Sequence, residues 1–538
     1  MSECKLSCEG LNIGDNKYDV LIAGLQKEID ELCETATAKF LFYDGKVAEL
    51  CTYIKTNLTN QLQCLLADMK FSGELDDIVT DIVLNTIRTL EEDNVKIHQE
   101  IKDVENKLEV KTAGIVTPQM FGAIGDGVND DSEGIQKTIN SVIDGGIVEF
   151  PITEKLYVLK TPIFFSGKNI IIRNGRFNCD GLTSVFNIND DCNFIIFENC
   201  YFYRGNQIIR IFNADNITIK NCVFEETGYC IIQSHGSSSN NVNVLNNRCI
   251  NIYKDFVECN CANTAPSYNW VITGNTYLHK EIPTVKGTEQ RFVGITSVKN
   301  VVISNNIVEH VKGDSCVHLE DTGGKVIIEG NIFKDSMGFG YIFIMHESHD
   351  TIINGNHFIN TLNYNADTRF IYVWNGENAR GDVIISNNMF DGCNQSYPFT
   401  CGYNTVFNGN RFKGFDVFLP KTCKDIKFLN NYIECNKFCY IDKGVMNAMV
   451  QNASFKNNII TGDIHLLHNN TGTQFTRDVV FDGNEILGDV SIKDCKNLFF
   501  TNNTIKNDKT LTFNSESFYG ENMVATNNYV FGSGLVNE

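Results

Sequence analysis

The chain has 538 residues, 42% of them hydrophobic and 21% charged, which is the balance of a folded rather than a disordered protein, and its net charge of −21 disfavours nucleic acid as a partner. Its 20 cysteines are scattered instead of grouped in zinc-type pairs, so they read as reduced, buried small side chains. Cys259 and Cys261 share one strand face with no second pair after them, and neither a metal site nor a cofactor is expected.

Residues 1–16 form a polar N-terminal tip with no apolar leader, and nothing downstream has the length and apolarity of a membrane span. Synthesis in a reducing cytoplasm, without membrane insertion, is the expectation. Residues 17–112 carry helical periodicity. Ile22, Leu25, Ile29, Leu32 and Ala36 follow a helical seam, and a less regular apolar segment runs from Val47 to Met69. Ile87, Leu90, Asn94, Ile97, Ile101, Val104 and Leu108 then keep strict heptad spacing. Asn94 stands at a seam position, where a buried polar residue sets register and oligomer state. These seven residues predict a partly coiled-coil, self-associating region; the alternative is packing within one chain.

Residues 113–165 contain Thr117-Pro-Gln-Met-Phe-Gly-Ala-Ile-Gly-Asp-Gly-Val-Asn-Asp-Asp-Ser-Glu-Gly-Ile-Gln-Lys-Thr-Ile-Asn140, a turn-rich strand followed by a short helix. Asp130 or Asp131 can cap that helix, and Ile135 and Ile139 can lay it over the open end of the strands C-terminal to it. Asp126, Asp130 and Asp131 are read as structural. From residue 166 to 538 one pattern recurs, as in Lys325-Val-Ile-Ile-Glu-Gly-Asn-Ile-Phe333 and Asp382-Val-Ile-Ile-Ser-Asn-Asn-Met-Phe390. Fifteen copies start between Asn169 and Asn522, about 25 residues apart. Strand periodicity at that length, without a leucine-rich consensus, predicts a parallel β-helix of about 15 coils. The seventh position predicts an inward amide ladder of Asn199, Asn275, Asn306, Asn331, Asn356, Asn388, Asn410, Asn431, Asn458, Asn484, Asn503 and Asn528.

The Thr117–Asn140 segment resembles the opening motif of the pectate-lyase-like superfamily of right-handed parallel β-helices, which includes phage tailspikes and tail appendages. With the repeats, the resemblance covers residues 115–538. It implies an all-β domain behind an α-helical virion-anchoring region, a homotrimer, attachment through the N-terminus to other tail, baseplate or neck proteins, and contact of the β-helix with a host-surface glycan. The location implied is the virion. The chain stops straight after a repeat, without a visible C-terminal trimerisation domain.

Strand parity then sorts candidate site residues. Glu258, His318, Glu320, Phe343, Met345, Tyr372, Trp374 and Phe418 point outward on neighbouring coils, while Trp270 falls inward. Glu320, Asp321 and Glu347 are the candidate acid/base carboxylates, since glycoside cleavage needs one protonated and one ionised carboxyl. Phe343, Tyr372 and Trp374 are candidate sugar-stacking rings. His318 and His346 are placed to tune the carboxyls or act as base, and Arg291, Arg369 and the nearby Arg380 to neutralise a uronate. The competing readings are a non-enzymatic receptor-binding or structural virion protein of the same fold, with the rings packed against another subunit, and a free bacterial polysaccharide lyase.

Overall fold

The computed structural model describes residues 114–536 apart from short stretches, of which the longest are 282–289, 362–368, 376–381, 441–448, 468–475 and 515–521. The heptad residues Ile87 to Leu108 and the rest of the helical region lie outside the described residues.

Each coil is built by two sharp turns. In one, Asp215–Lys220 is followed by Asn221 in the left-handed conformation (φ 54°), then Val223–Glu225, Glu226 (φ 52°) and Tyr229–Gln233. Asn tolerates that conformation better than other non-glycine residues, which is why Asn or Gly recurs there. Stacked coils form a parallel solenoid of about 13 turns. One sheet has 17 strands, and each of the fifteen repeat starts lies on one of them or on the residue just before it. A second sheet of 10 strands runs from Ile163–Phe165 to Phe399–Thr400.

The amide ladder is present with one change of membership. Its rungs are Asn247, Asn275, Asn306, Asn331, Asn356, Asn388, Asn410, Asn431, Asn458, Asn484, Asn503 and Asn528, each at most 2% exposed. From Asn306, for example, Nδ2 donates to Asn331 Oδ1 at 2.8 Å and to the Ile272 carbonyl at 3.0 Å, while its backbone N–H donates to the same Oδ1 at 2.9 Å. The side-chain polar groups are thus paired, which a buried amide requires. Asn199 is not a rung. Phe194 instead of Asn193 takes the left-handed start of that coil (φ 57°), moving the seventh position to Cys200, and Asn199 is a turn residue (φ 56°). Cys200 and Cys222 hold rung positions, their thiols donating to the Ile172 and Phe197 carbonyls at 3.7 Å.

Two positions beyond the ladder, phenylalanines stack along the core, as in Phe358, Phe390 and Phe412, with centroids 4.7 and 4.6 Å apart. Trp270 is buried, its indole donating to the Ser239 carbonyl at 2.9 Å, as its inward position predicts. Phe418 departs from prediction: it is buried among Phe399, Phe412 and Phe438, and Leu419 beside it is buried too, because it lies past the end of the strand Arg411–Val417, where alternation no longer assigns a face. The described cysteines are free, and all but Cys393 are buried.

The helix Ser132–Ser141 covers the first coil with Ile135 and Ile139 buried. Gln136 accepts from the backbone N–H of Phe164 and donates to its carbonyl, both at 2.8 Å, satisfying an edge strand that would otherwise stay open. Asp131 accepts from the Ile124, Gly125 and Val158 N–H groups, and Asp130 from Ser132, so these carboxylates hold the cap together. At the other end Gly534–Val536 folds back antiparallel on Asn528–Val530.

Candidate functional site

The outer face of the 10-stranded sheet carries the sequence-derived candidates. Strands Val257–Asn260, Val293–Thr296, Ser315–Glu320, Gly340–His346 and Ile371–Asn375 pair in parallel. Register aligns Glu258, Gly294, His318, Phe343 and Tyr372 in one row, and Asn260, Thr296, Glu320, Met345 and Trp374 in the next. Side chains two apart on a strand share a face, so both rows look outward.

One end of the face is aromatic. Phe343 lies 5.1 Å from the His318 ring and 5.0 Å, edge to face, from Tyr372. Phe339, from the preceding turn, closes on both Phe343 and Tyr372. Covered this way, Phe343 is only 5% exposed, while Phe339 and Trp374 are 45% and 57% exposed. Arg369 lies over the Tyr372 ring at 5.4 Å. Asp321 follows Glu320 in a left-handed turn (φ 49°). His346 ends its strand opposite Asn375; Glu347 and Arg380 lie outside the described residues.

The other end is ionic, and its centre is Arg291. Arg291 makes a two-pronged contact with Asp314, Nε to Oδ1 at 2.7 Å and Nη2 to Oδ2 at 2.9 Å, and reaches Asp255 through Nη1 at 3.1 Å. Its charge is therefore engaged by two carboxylates within the fold. Asp255, 1% exposed, also accepts the backbone N–H groups of Gln290 and Arg291. Burial pushes the Asp314 carboxyl up, but His318 and the Arg291 guanidinium outweigh it and hold it well below the usual range. His318 faces two carboxylates, Nδ1 3.4 Å from Asp314 and Nε2 3.8 Å from Glu320, without a hydrogen bond to either.

Glu258 is the unusual member. Its side chain is 19% exposed and its Oε2, 3.9 Å from Arg291 Nη1, is buried without a hydrogen bond. Burial, then the hydrogen bond and charge of Asp255, push its carboxyl up to about 9 against the pull of Arg291. It is a neutral acid at neutral pH. Sequence reading placed Glu258 outward but gave it no role, and it missed Asp255, Asp314 and Phe339, which sit in turns where strand parity has no hold.

Behind this face, Cys259 and Cys261 lie with their sulfurs 3.5 Å apart, bonded to Gln233 and Ser267. Among the described residues no group of three or more His, Cys, Asp or Glu is arranged to hold a metal ion, and no helix is long and apolar enough to cross a membrane.

No protein-family model matches the sequence, and comparison with the curated proteins gives no match. Among solved structures the chain is similar to the bacteriophage CBA120 tailspike protein 3, at 14% identity and a TM-score of 0.44 over 81% of this chain and 63% of that one. It is also similar to the Streptococcus pneumoniae surface protein and adhesin PfbA, at 17% and 0.37 over 74% and 100%. A third is the catalytic unit of a GH87 alpha-1,3-glucanase from Streptomyces thermodiastaticus, at 12% and 0.40 over 79% and 70%. Likenesses this slight carry no argument about function, which rests on the chain's own residues.

Proposed function

We propose that the chain is a phage tail spike or appendage protein whose β-helix binds and cleaves a host-surface polysaccharide during adsorption. The observation that carries the reading is the register that puts aromatic and acidic side chains on one solvent-facing sheet. Exposed rings stack on the apolar faces of sugars, and carboxyls beside them supply acid and base. Trp374, Phe339 and Tyr372 form the platform, Phe343 supports them from beneath, and Glu320, in the row of Trp374, and Asp321, in the turn after it, are the described carboxyls proposed as acid and base, with Glu347 the third sequence-derived candidate. The heptad residues Ile87 to Leu108 would join three copies, with residues 1–16 meeting the particle. The resemblance of Thr117–Asn140 to the tailspike-type opening motif supports the virion assignment.

A second reading, binding without cleavage, is favoured by Asp255, whose carboxylate is taken up by backbone N–H groups. Incubation of the full chain with purified host-surface polysaccharide separates the two. Cleavage should release reducing ends, or unsaturated products if the reaction is elimination, whereas a binder would retain the polymer intact. Sedimentation should give the mass of a trimer, and a monomer would sink the assembly assigned to the heptads.

A further inference from the structure

We propose that Glu258 is the proton donor of this face and that the reaction there is hydrolysis of an uncharged glycan, an inference that rests on the cleavage reading above. Glu258 stands in the outward row between Ile232 and Gly294. A Cβ at Gly294 would stand 2.9 Å from Glu258 Oε2 and 3.2 Å from Asp255 Oδ2. Glycine therefore leaves a notch into which both carboxyls lean. Beyond the notch come His318, Phe343 and Tyr372, so the acid shares its row with the aromatic platform, whose Tyr372 stands four strands on, about 20 Å along the axis.

The charges around Glu258 explain why it can give a proton. Tyr229 and Asp255 face it from the preceding strand and turn, with Lys254 5.8 Å over the Tyr229 ring, while Arg291, Asp314 and His318 face it from the following coils. Two carboxyls beside one guanidinium that already serves Asp314 do not both ionise cheaply, and two backbone N–H groups donate to Asp255 whereas Glu258 Oε2 has no hydrogen bond. The carboxyl left protonated is Glu258.

The same charges bear on the substrate. Asp255, Asp314 and Glu320 outnumber Arg291 beside Glu258, and Arg291 is engaged by both Asp255 and Asp314, so a uronate bound against Glu258 would meet net negative charge. Arg210, which donates to Ser234 Oγ, stands two strands to the other side, about 10 Å along the axis. Arg369 lies four strands away, about 20 Å along the axis at ordinary strand spacing. Elimination from a uronate needs its carboxylate neutralised; hydrolysis of a neutral sugar does not. Glu258 would protonate the glycosidic oxygen as the C1–O bond breaks, the bonding pair leaving with that oxygen. Water adds to C1 and passes its proton to the Glu320 carboxylate, so one water is consumed and two sugar ends form. Glu258 and Glu320 lie two strands apart, roughly 10 Å along the axis, which leaves room for sugar and water between them.

The test uses the full chain, neutral and uronate-containing polysaccharides, and Glu258→Gln. The variant should bind neutral glycan as the wild type does but cut it about 100-fold or more slowly, and the alkaline limb of the wild-type rate profile, expected near pH 9, should vanish. Infrared difference spectra between neutral and alkaline solution should show a protonated carboxyl in the wild type that Glu258→Gln lacks, a readout that needs no glycan. Full cleavage by the variant, an ionised Glu258 at neutral pH, or preferential cutting of uronate polymers overturns the inference. Wild-type chain that binds neutral glycan without cutting it also overturns it and leaves the binding reading intact, whereas failure to bind any host-surface glycan removes both.

Discussion

At Glu258 the folded chain favours the protonated carboxyl, while the unfolded chain ionises near the ordinary glutamate value of 4.5. Between there and about pH 9 the folded state holds more protons, so this residue's contribution to stability must fall as pH rises through that window. Glu258→Gln should therefore be more stable than wild type at neutral pH and indistinguishable from it below about pH 4, measured by urea unfolding; equal stabilities at neutral pH would contradict a neutral Glu258. Gly294→Ala should lower cleavage, because the added methyl displaces the Glu258 and Asp255 carboxyls from their notch. Trp374→Ala should weaken glycan affinity about tenfold while leaving the thermal midpoint unchanged, since the ring is largely exposed. These residues differ in how legible they were. Glu320, Tyr372 and Trp374 lie on strands, where alternation alone assigns a face. Asp255, Asp314 and Phe339 come from turns whose geometry no two-residue period encodes, and the neutrality of Glu258 depends on neighbours from three coils.

At the scale of the element, the rung of the amide ladder decides more than the strand does. Asn356→Ala would remove the acceptor of two Asn331 N–H groups and the donor to Asn388 and to the Ile328 carbonyl. The expected cost is ~1–3 kcal/mol for buried groups left unpaired, seen as faster amide exchange in the coils on either side; unchanged exchange would show that the rung is dispensable. The repeat was readable because each coil needs one apolar strand, one left-handed residue and one buried amide in fixed order. It failed at Asn199, where Phe194 took the left-handed turn and moved the rung by one residue to Cys200. Phe418 failed because the strand ends at Val417, and past it both Phe418 and Leu419 turn inward without leaving a mark in composition.

At the scale of the whole solenoid, coils pair with their immediate neighbours, so stability should propagate along one axis. Amide exchange should be slowest in the middle coils and quicken toward the C-terminal hairpin, where Gly534–Val536 covers one strand only; uniform protection from end to end would contradict this. The ladder bonds are alike whether 19 residues separate two rungs, as between Asn484 and Asn503, or 32, as between Asn356 and Asn388. A rung therefore accepts any other rung, and a folding chain that skips a coil still satisfies every amide it joins. What forbids the skip are features that occur once: thiols at the Cys200 and Cys222 rungs, the indole of Trp270 on Ser239, and Gln233 with Cys259, Cys261 and Ser267. They act as registry keys. Replacing Gln233 and Ser267 by Leu and Ala should cut the yield of correctly folded chain after dilution from denaturant more than it weakens chain already folded, and equal losses would refute that role. The order of the coils would then be written in the few places where the repeat is broken.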